Sequence, residues 1–294
     1  MNILILSRRK NYYATRRLCQ AARRLRHKIE VLDPFKCTIA LATRAPRVYC
    51  GNKELRGIDA VIPRPAVLGL DHILAVIRQF ELQKVPVINN TQAIAIAKNK
   101  LGCLQVLAGA GLPLPSTIMS KSAQELEGFI NELGGTPVVV KLLQGGKGTG
   151  VFLTETYPAA RSAVEATLAV GLNPMLQQYI PESKGQDIRM LVVGERVIAA
   201  MRRYSGKNDF RSNVHCGGHA EKIKLSDSYK RLAIRAARVL GLQIAGVDVI
   251  ESKRGPMIIE VNTSPGFQEL ERVTKLDIAT AIIKFVVKYA RSQR

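Results

Sequence analysis

The stretch KLLQGGKGTGV, residues 141–151, limits the fold more than any other, because strand-like runs bound it on both sides. Pro137-Val138-Val139-Val140-Lys141 leads in and Val151-Phe152-Leu153-Thr154 leads out, both short and β-branched or apolar. A Walker loop opens on glycine and closes on Gly-Lys-Ser/Thr; here Gly148 follows Lys147, and Lys141 holds the opening position. The G-x-G-x-x-G spacing fails too, since Val151 and Leu153 stand where a third glycine belongs. Both motifs seat phosphate on a helix N-terminus. Glycines that join strand to strand make a flexible hairpin tip instead, able to lay bare N–H groups over phosphates as a flap.

Strand and helix patterns alternate along the rest of the chain. Residues 2–6 are an apolar strand-like run, 12–28 carry a helical pattern through Leu18, Ala22 and Leu25, and 29–32 predict a strand ended by Asp33-Pro34. A strand at 58–62, a helix at 71–83 and a short strand at 85–88 complete a small α/β lobe over residues 1–90. Residues 91–111 predict one helix bearing Lys100, closed by Gly111 and Pro113. With a helix at 122–133, the flap hairpin and a strand at 175–180 stopped by Pro181, a central lobe spans 91–183. The last lobe, 184–294, predicts strands at 188–193 and 196–201, a loop rich in charge and glycine, a helix at 228–240, two more strands and a closing helix at 278–289. The expected class is α/β and α+β.

Charge narrows the partners. The chain carries a formal +21, and residues 1–56 hold 14 Lys/Arg against 3 Asp/Glu. Such a field steers an acidic partner, whether nucleic acid, the ribosome or an acidic peptide; a basic surface that serves only solubility is the plainer reading. Cys19, Cys37, Cys50, Cys103 and Cys216 are odd in number and never spaced C-x-x-C, which fits reduced packing thiols better than disulfides or zinc. No run approaches a bilayer span and the first apolar run is too short for a signal peptide, so the expected place is the cytoplasm, with no membrane partner.

The chemistry concentrates near residue 250. Val247-Asp248-Val249-Ile250 and Met257-Ile258-Ile259-Glu260-Val261-Asn262 flank the turn-like ESKRGP. With the hairpin centred near Arg254, Asp248 lies across from Glu260, and Glu260 and Asn262, two apart, share its face. Two carboxylates ~5 Å apart repel by about 3 kcal/mol at an effective dielectric near 20, so a cation belongs between them. Oxygen-only donors suit Mg²⁺ or Mn²⁺. A Lys or Arg bridging the pair is the purely structural alternative.

Taken in order, Lys100, Lys141 before the glycine flap, Gln177-Gln178-Tyr179-Ile180, Asp187-Ile188-Arg189, Asp209-Phe210-Arg211-Ser212-Asn213, and Asp248 with Glu260-Val261-Asn262 resemble the ATP-grasp superfamily. More narrowly, DFRSN followed by EVNTSPG resembles its RimK-like branch, ligases that add glutamate to the C-terminus of a small-subunit ribosomal protein. The resemblance runs from Asn2 to the final helix. It implies an ATP-grasp fold behind a pre-ATP-grasp lobe, a carboxylate–amine ligase working through an acylphosphate, and a homo-oligomer, a tetramer. Residue by residue, it implies that Lys100 and Lys141 hold ATP phosphates, the backbone of Gln178 and Tyr179 reads the adenine edge, and Asp187 holds the ribose. Arg211, Ser212 and Asn213, with Arg203, would face the transferred phosphate, the two arginines acting catalytically. Asp248, Glu260 and Asn262 would coordinate a pair of Mg²⁺ or Mn²⁺ ions. Many relatives have Glu where Gln178 stands, a change that a backbone contact tolerates. The implied partners are ATP, free L-glutamate, and the acidic C-terminus of a ribosomal protein, with ribosome contact.

Plainer readings stand beside these. Lys100 and Lys141 can be solvated lysines, Asp187 a cap, and Arg203 with Arg211 an RNA-facing pair. His215-Cys216 and His219 have a metal-like spacing but no second ligand pair. Two rival functions remain: an ATP-grasp ligase loading an amino acid onto an acidic amino-group carrier protein, and a nucleotide-dependent RNA- or ribosome-binding factor without turnover. Intact metal ligands argue against the second.

Overall fold

A computed structural model of the chain describes residues 1–43, 45–65, 68–143, 150–206 and 218–293. The N-terminal part runs β1 (Asn2–Leu6), α1 (Tyr13–Arg24), β2 (Lys28–Leu32), a small antiparallel sheet of β3 (Cys37–Ala40), β4 (Arg47–Cys50) and β5 (Lys53–Glu54), then β6 (Ala60–Pro63) and α2 (Leu70–Leu82). Strands β2, β1 and β6 lie parallel, with β1 in the middle. Its two faces are both buried, Ile3 and Ile5 in one core with α1, Leu4 and Leu6 in another with α2. That explains an apolar run without alternation. The strand expected at 85–88 reduces to a single bridge, Val61 with Val87. The β3–β5 sheet was not expected, since its short strands mix charge and apolar residues without a clear period.

The helix expected over 91–111 is two helices, α3 (Thr91–Lys98) and α4 (Lys100–Gly109). Asn99 between them is extended, and its Oδ1 accepts from the Gly102 N–H at 3.0 Å. Asparagine is among the strongest N-caps, and here it starts a new helix rather than continuing the old one. Lys98 and Lys100 thereby stand at the facing ends of the two helices.

The central part comprises β7 (Thr117–Met119), α5 (Leu126–Glu132), β8 (Val138–Leu142), β9 (Val151–Thr154), α6 (Tyr157–Ala169) and β10 (Pro174–Gln178), in an antiparallel sheet ordered β7–β10–β8–β9. Val138, Val140 and Leu176 pack on α5 and α6, so Val139, Lys141 and Gln177 point to the opposite face. Lys141 pairs with Val151 across the hairpin, as the strand-to-strand reading of the glycine stretch requires. The tip, 144–149, lies outside the described residues.

The remainder is β11 (Gln186–Val193), β12 (Arg196–Tyr204), β13 (His219–Lys222), α7 (Asp227–Val239), β14 (Ile244–Ser252), β15 (Gly255–Asn262), α8 (Gln268–Thr274) and α9 (Ile278–Ser292), with an antiparallel sheet ordered β13–β12–β11–β14–β15. One face is mainly apolar: Ile188, Met190, Val192, Ala245, Val247 and Val249 share a core with residues of α3, α4 and α7. The other face divides. Leu191, Val193, Ala199, Met201 and Ile244 join the core of α1, α8 and α9, while Asp187, Arg189, Arg203 and Asp248 occupy the same face further along the strands.

Asp248 does pair with Glu260, but the turn alone would not place it there. The turn residues are Lys253 and Arg254, between paired Ser252 and Gly255, a register that would set Asp248 against Ile259. A bulge next to Asp248 absorbs one residue of β15 and brings Glu260 opposite. Asn89 ties the N-terminal part to β14. Its Nδ2 donates to the carbonyls of Ile244 and Thr263 at 2.7 and 2.8 Å, and its Oδ1 accepts from the N–H groups of Gln243 and Ile244 at 2.7 and 2.9 Å. On the far side Glu271 accepts from Tyr13 and Arg17, again joining the chain's two ends. Cys19, Cys37 and Cys103 are buried free thiols, as packing residues should be. No helix among the described residues is long and apolar enough to cross a membrane.

Candidate active site

The polar end of the five-stranded sheet carries two arginine–carboxylate pairs. Arg189 grips Asp248 with two hydrogen bonds, Nε to Oδ1 at 2.7 Å and Nη2 to Oδ2 at 2.5 Å. Arg203 grips Asp187 in the same way at 2.6 and 2.5 Å, and its Nη2 reaches Asp248 Oδ2 at 2.9 Å. Both pairs are cross-strand partners, so the ladder itself sets their geometry. Asp248 is 1% exposed and Asp187 4%, where an unpaired carboxylate would be strongly destabilising. Burial alone would raise the Asp248 carboxyl; the charges of Arg189 and Arg203 and their hydrogen bonds outweigh it and hold the value below the ordinary range. The structural alternative, a carboxylate bridged by arginine, thus describes how Asp248 is held.

Glu260 differs. It reaches solvent, yet it has no hydrogen bond or ion pair among the described residues. Partial desolvation by the atoms around it, together with the Asp248 charge, pushes its carboxyl above the usual range, against the pull of Arg189, Lys141 and Arg203. Around it stand Lys98, Lys100 and Lys141, each depressed by burial and each supported by the Glu260 charge. Lys141 falls to about 8. Its Nζ donates to Gln177 Oε1 at 2.6 Å, and Gln177 Nε2 in turn donates to Thr117 Oγ1 at 2.9 Å. Lys100 Nζ donates to the Leu142 carbonyl at 2.7 Å, where β8 leads into the glycine stretch. Arg64, just after β6, adds a further cation that depresses Lys98. Arg189 and Arg203 are balanced by Asp248 and Asp187. Among the described residues the three lysines therefore face a single carboxylate, Glu260, a surplus of positive charge that suits a polyanion.

The donor set also fits a hard cation. Asp248 accepts three hydrogen bonds on two oxygens with about four lone-pair sites, which leaves Oδ1 one to spare. Glu260 is unpaired, and Asn262 has a buried amide nitrogen without a partner, an amide that offers oxygen there when turned over. Among the described residues no three His, Cys, Asp or Glu cluster as a metal site, so any ion there rests on two carboxylates and an amide.

Other expected residues are placed less tellingly. Gln178 ends β10; its N–H donates to the Ser116 carbonyl at 2.8 Å and its Oε1 is buried without a partner, with Tyr179 next along the chain. Asp187 is withdrawn with both oxygens on Arg203, so a ribose contact requires that pair to open. Arg211, Ser212 and Asn213 lie outside the described residues, as do Asp209, Phe210, His215 and Cys216. Sequence reasoning assigned no role to Arg64, Lys98 or Arg189. For Arg189 a signal existed, since Asp187-x-Arg189 places both on one strand face.

A family model for the RimK-like ATP-grasp domain matches residues 97–286, and one for the RimK pre-ATP-grasp domain matches residues 1–94. The chain belongs to the RimK-like ATP-grasp family. Its fold is the ATP-grasp fold behind a pre-ATP-grasp domain, and it is an ATP-dependent ligase that forms C–N bonds. Proteins named probable alpha-L-glutamate ligase from Picosynechococcus sp. and Thioalkalivibrio sulfidiphilus are each 42% identical to it, over 99% and 100% of this chain and 96% and 98% of theirs. Among solved structures, ATP-grasp ligase PsnB, complexed with a phosphomimetic variant of its minimal precursor, Mg and ADP, superposes with a TM-score of 0.78 at 21% identity over 98% of each chain. The RimK domain protein ATP-grasp from Sphaerobacter thermophilus gives 0.75 at 24% identity, covering 98% of this chain and all of that one. These two RimK-family and ATP-grasp neighbours establish the shared fold.

Proposed function

We propose that this chain is an alpha-L-glutamate ligase that extends the acidic C-terminus of a small-subunit ribosomal protein. The observation that carries the reading is the cationic cleft of Lys98, Lys100 and Lys141 around Glu260, which has no hydrogen bond or ion pair among the described residues, next to the strand that enters the glycine hairpin. The relatives' name supplies glutamate, and the +21 charge favours an acidic acceptor. Lys100 and Lys141 hold ATP phosphates; the end of β10 at Gln178 and Tyr179 borders the adenine; Arg203, with Arg211, Ser212 and Asn213, faces the transferred phosphoryl group. Glu260, Asn262 and the spare lone pair of Asp248 Oδ1 would hold Mg²⁺ or Mn²⁺, one ion or a pair. Such an ion neutralises phosphate charge and polarises the γ-phosphoryl group.

The acceptor's terminal carboxylate attacks the γ-phosphorus of ATP, and ADP leaves with the bridging oxygen. The amine of glutamate then attacks the acyl carbon of the acylphosphate, loses a proton, and expels inorganic phosphate. Water would destroy that intermediate, so the site has to exclude it while the acylphosphate stands. The lobes at 1–90, 91–183 and 184–294, a homo-tetramer and a cytoplasmic setting complete this reading. Its test is incubation with ATP, a mixture of amino acids and two acceptors, a peptide ending like an acidic ribosomal C-terminus and an amino-group carrier protein. Mass spectrometry should find glutamate on the peptide. Modification of the carrier alone would favour the rival ligase instead.

A further inference from the structure

The N-terminal parallel sheet has a crevice to which the reading above gives no occupant. From β1 the chain crosses to β2 on one side, whereas β6 pairs on the other, so the connections diverge between β1 and β6. Open parallel sheets bind ligands outside the carboxyl ends of their strands at such a divergence. Arg64 stands there. It is the residue after β6, and its backbone N–H donates to the carbonyl of Leu6, the last residue of β1, at 2.8 Å.

The side chain of Arg64 reaches toward the segment that follows β15. Its Nη2 donates to the carbonyls of Ser264 and Pro265 at 3.4 and 3.2 Å, two and three residues beyond Asn262. Among the described residues no carboxylate pairs with it, and its Nε and Nη1 have no acceptor. Burial lowers its pKa to about 10, with no acid acting to restore it. Among the described residues, the two neighbouring guanidiniums of the site each have a carboxylate: Arg189 has Asp248, and Arg203 has Asp187 and Asp248. Nε and Nη1 lie on different edges of the guanidinium, and each is free to give a carboxylate oxygen one charge-assisted hydrogen bond. Lys98 stands near enough to be depressed by the Arg64 charge and supported by Glu260, which links this crevice to the cleft.

We propose that Arg64, with Lys98 beside it, is the receptor for a substrate carboxylate that is not itself activated. The ligand is either a carboxylate near the acceptor's C-terminus or a carboxylate of the incoming amino acid. The inference rests on the ligase reading, because that reaction supplies both. Phosphate is assigned elsewhere, to Lys100 and Lys141 at the entry to the glycine hairpin, so Arg64 acts on substrate binding separately from ATP.

The test compares wild type, Arg64→Met and Arg64→Lys as full chains in steady-state ligation of glutamate onto an acidic peptide, with KM read separately for ATP, peptide and glutamate. Arg64→Met should raise the KM of one carboxylate substrate tenfold or more and leave that for ATP within twofold. A shift for the peptide identifies the acceptor as the source; a shift for glutamate identifies the amino acid. Arg64→Lys keeps the charge without the fixed planar donors and should raise the same KM by a smaller factor. If Arg64→Met fails to fold, the Lys variant decides, and unchanged KM values for peptide and glutamate overturn the assignment. A KM for ATP that rises as much as the others also overturns it. An inactive wild type removes the ligase reading and this receptor together, whereas an active wild type with unshifted variants removes only the receptor.

Discussion

If Lys141 holds a nucleotide phosphate, ATP binding should weaken as pH rises through about 8. The side chain is half-buried near the end of β8, and burial lowers its pKa from 10.5 to about 8, against the support of Glu260. A bound triphosphate favours the charged form and returns the value toward ~10.4. At about pH 7 the empty protein already carries Lys141 charged, so binding takes up no proton there. At about pH 9 roughly nine in ten molecules carry it neutral, and charging it costs about 1.4 kcal/mol, close to tenfold in Kd. Near pH 8 the uptake is about half a proton per nucleotide. For folding the sign is opposite: the folded value lies below the unfolded one, so the charged lysine weighs on the empty fold below about pH 8. That burden fades between about 8 and ~10.4. Calorimetric titration with ATP and Mg²⁺ in buffers of different ionisation enthalpy reads both Kd and proton uptake. Lys141→Arg, charged throughout, should bind with a nearly level Kd. A level wild-type Kd from about pH 7 to 9, or an Arg variant as steep as wild type, would refute Lys141 as a phosphate ligand.

Glu260→Ala should abolish ATP turnover while the melting temperature stays level or rises, because it removes one of two repelling carboxylates; near-normal ligation would contradict its metal role. Asn89→Ala strips four hydrogen bonds from the junction with β14. At about 1–3 kcal/mol for a buried group left unmet, it should lower stability by on the order of 4 kcal/mol in a denaturant melt, and a loss under about 1 kcal/mol would contradict the rivet. Raising ionic strength beyond ~0.1 M, where the Debye length is about 10 Å, should raise the KM of an acidic acceptor peptide much more than that of ATP. Equal responses, or equal use of a neutral peptide, would rule out charge-guided capture.

The pairing of Asp248 with Glu260 was legible because period-two alternation and a short turn fix a hairpin closely, although a bulge at Ile259 and a turn shifted from the expected centre had to cancel. The strand–glycine–strand reading of 137–154 followed from β-branched flanks. The break at Asn99 was not legible, since apolar positions at Ile94, Leu101 and Leu104 continue a helical period across it, and only the capping bond reveals a restart. Arg64 and Lys98 stayed hidden for another reason. A lone cation after a strand is ordinary, and what distinguishes Arg64 is the absence of a carboxylate partner among the described residues, a property of three-dimensional neighbours rather than of spacing. Asp187 shows the converse: its place in the motif was evident, whereas its two-point pairing with Arg203 depends on the β11–β12 register.

The central claim is activation of the acceptor's own carboxylate by ATP, and isotope transfer tests it most directly. An acidic acceptor peptide with heavy oxygen in its terminal carboxylate is incubated with ATP, Mg²⁺, glutamate and the enzyme, and the inorganic phosphate is analysed by mass spectrometry. One heavy oxygen should appear in phosphate for each glutamate added, because the carboxylate oxygen that attacks phosphorus leaves with it. Ligated peptide accompanied by unlabelled phosphate would contradict an acylphosphate route.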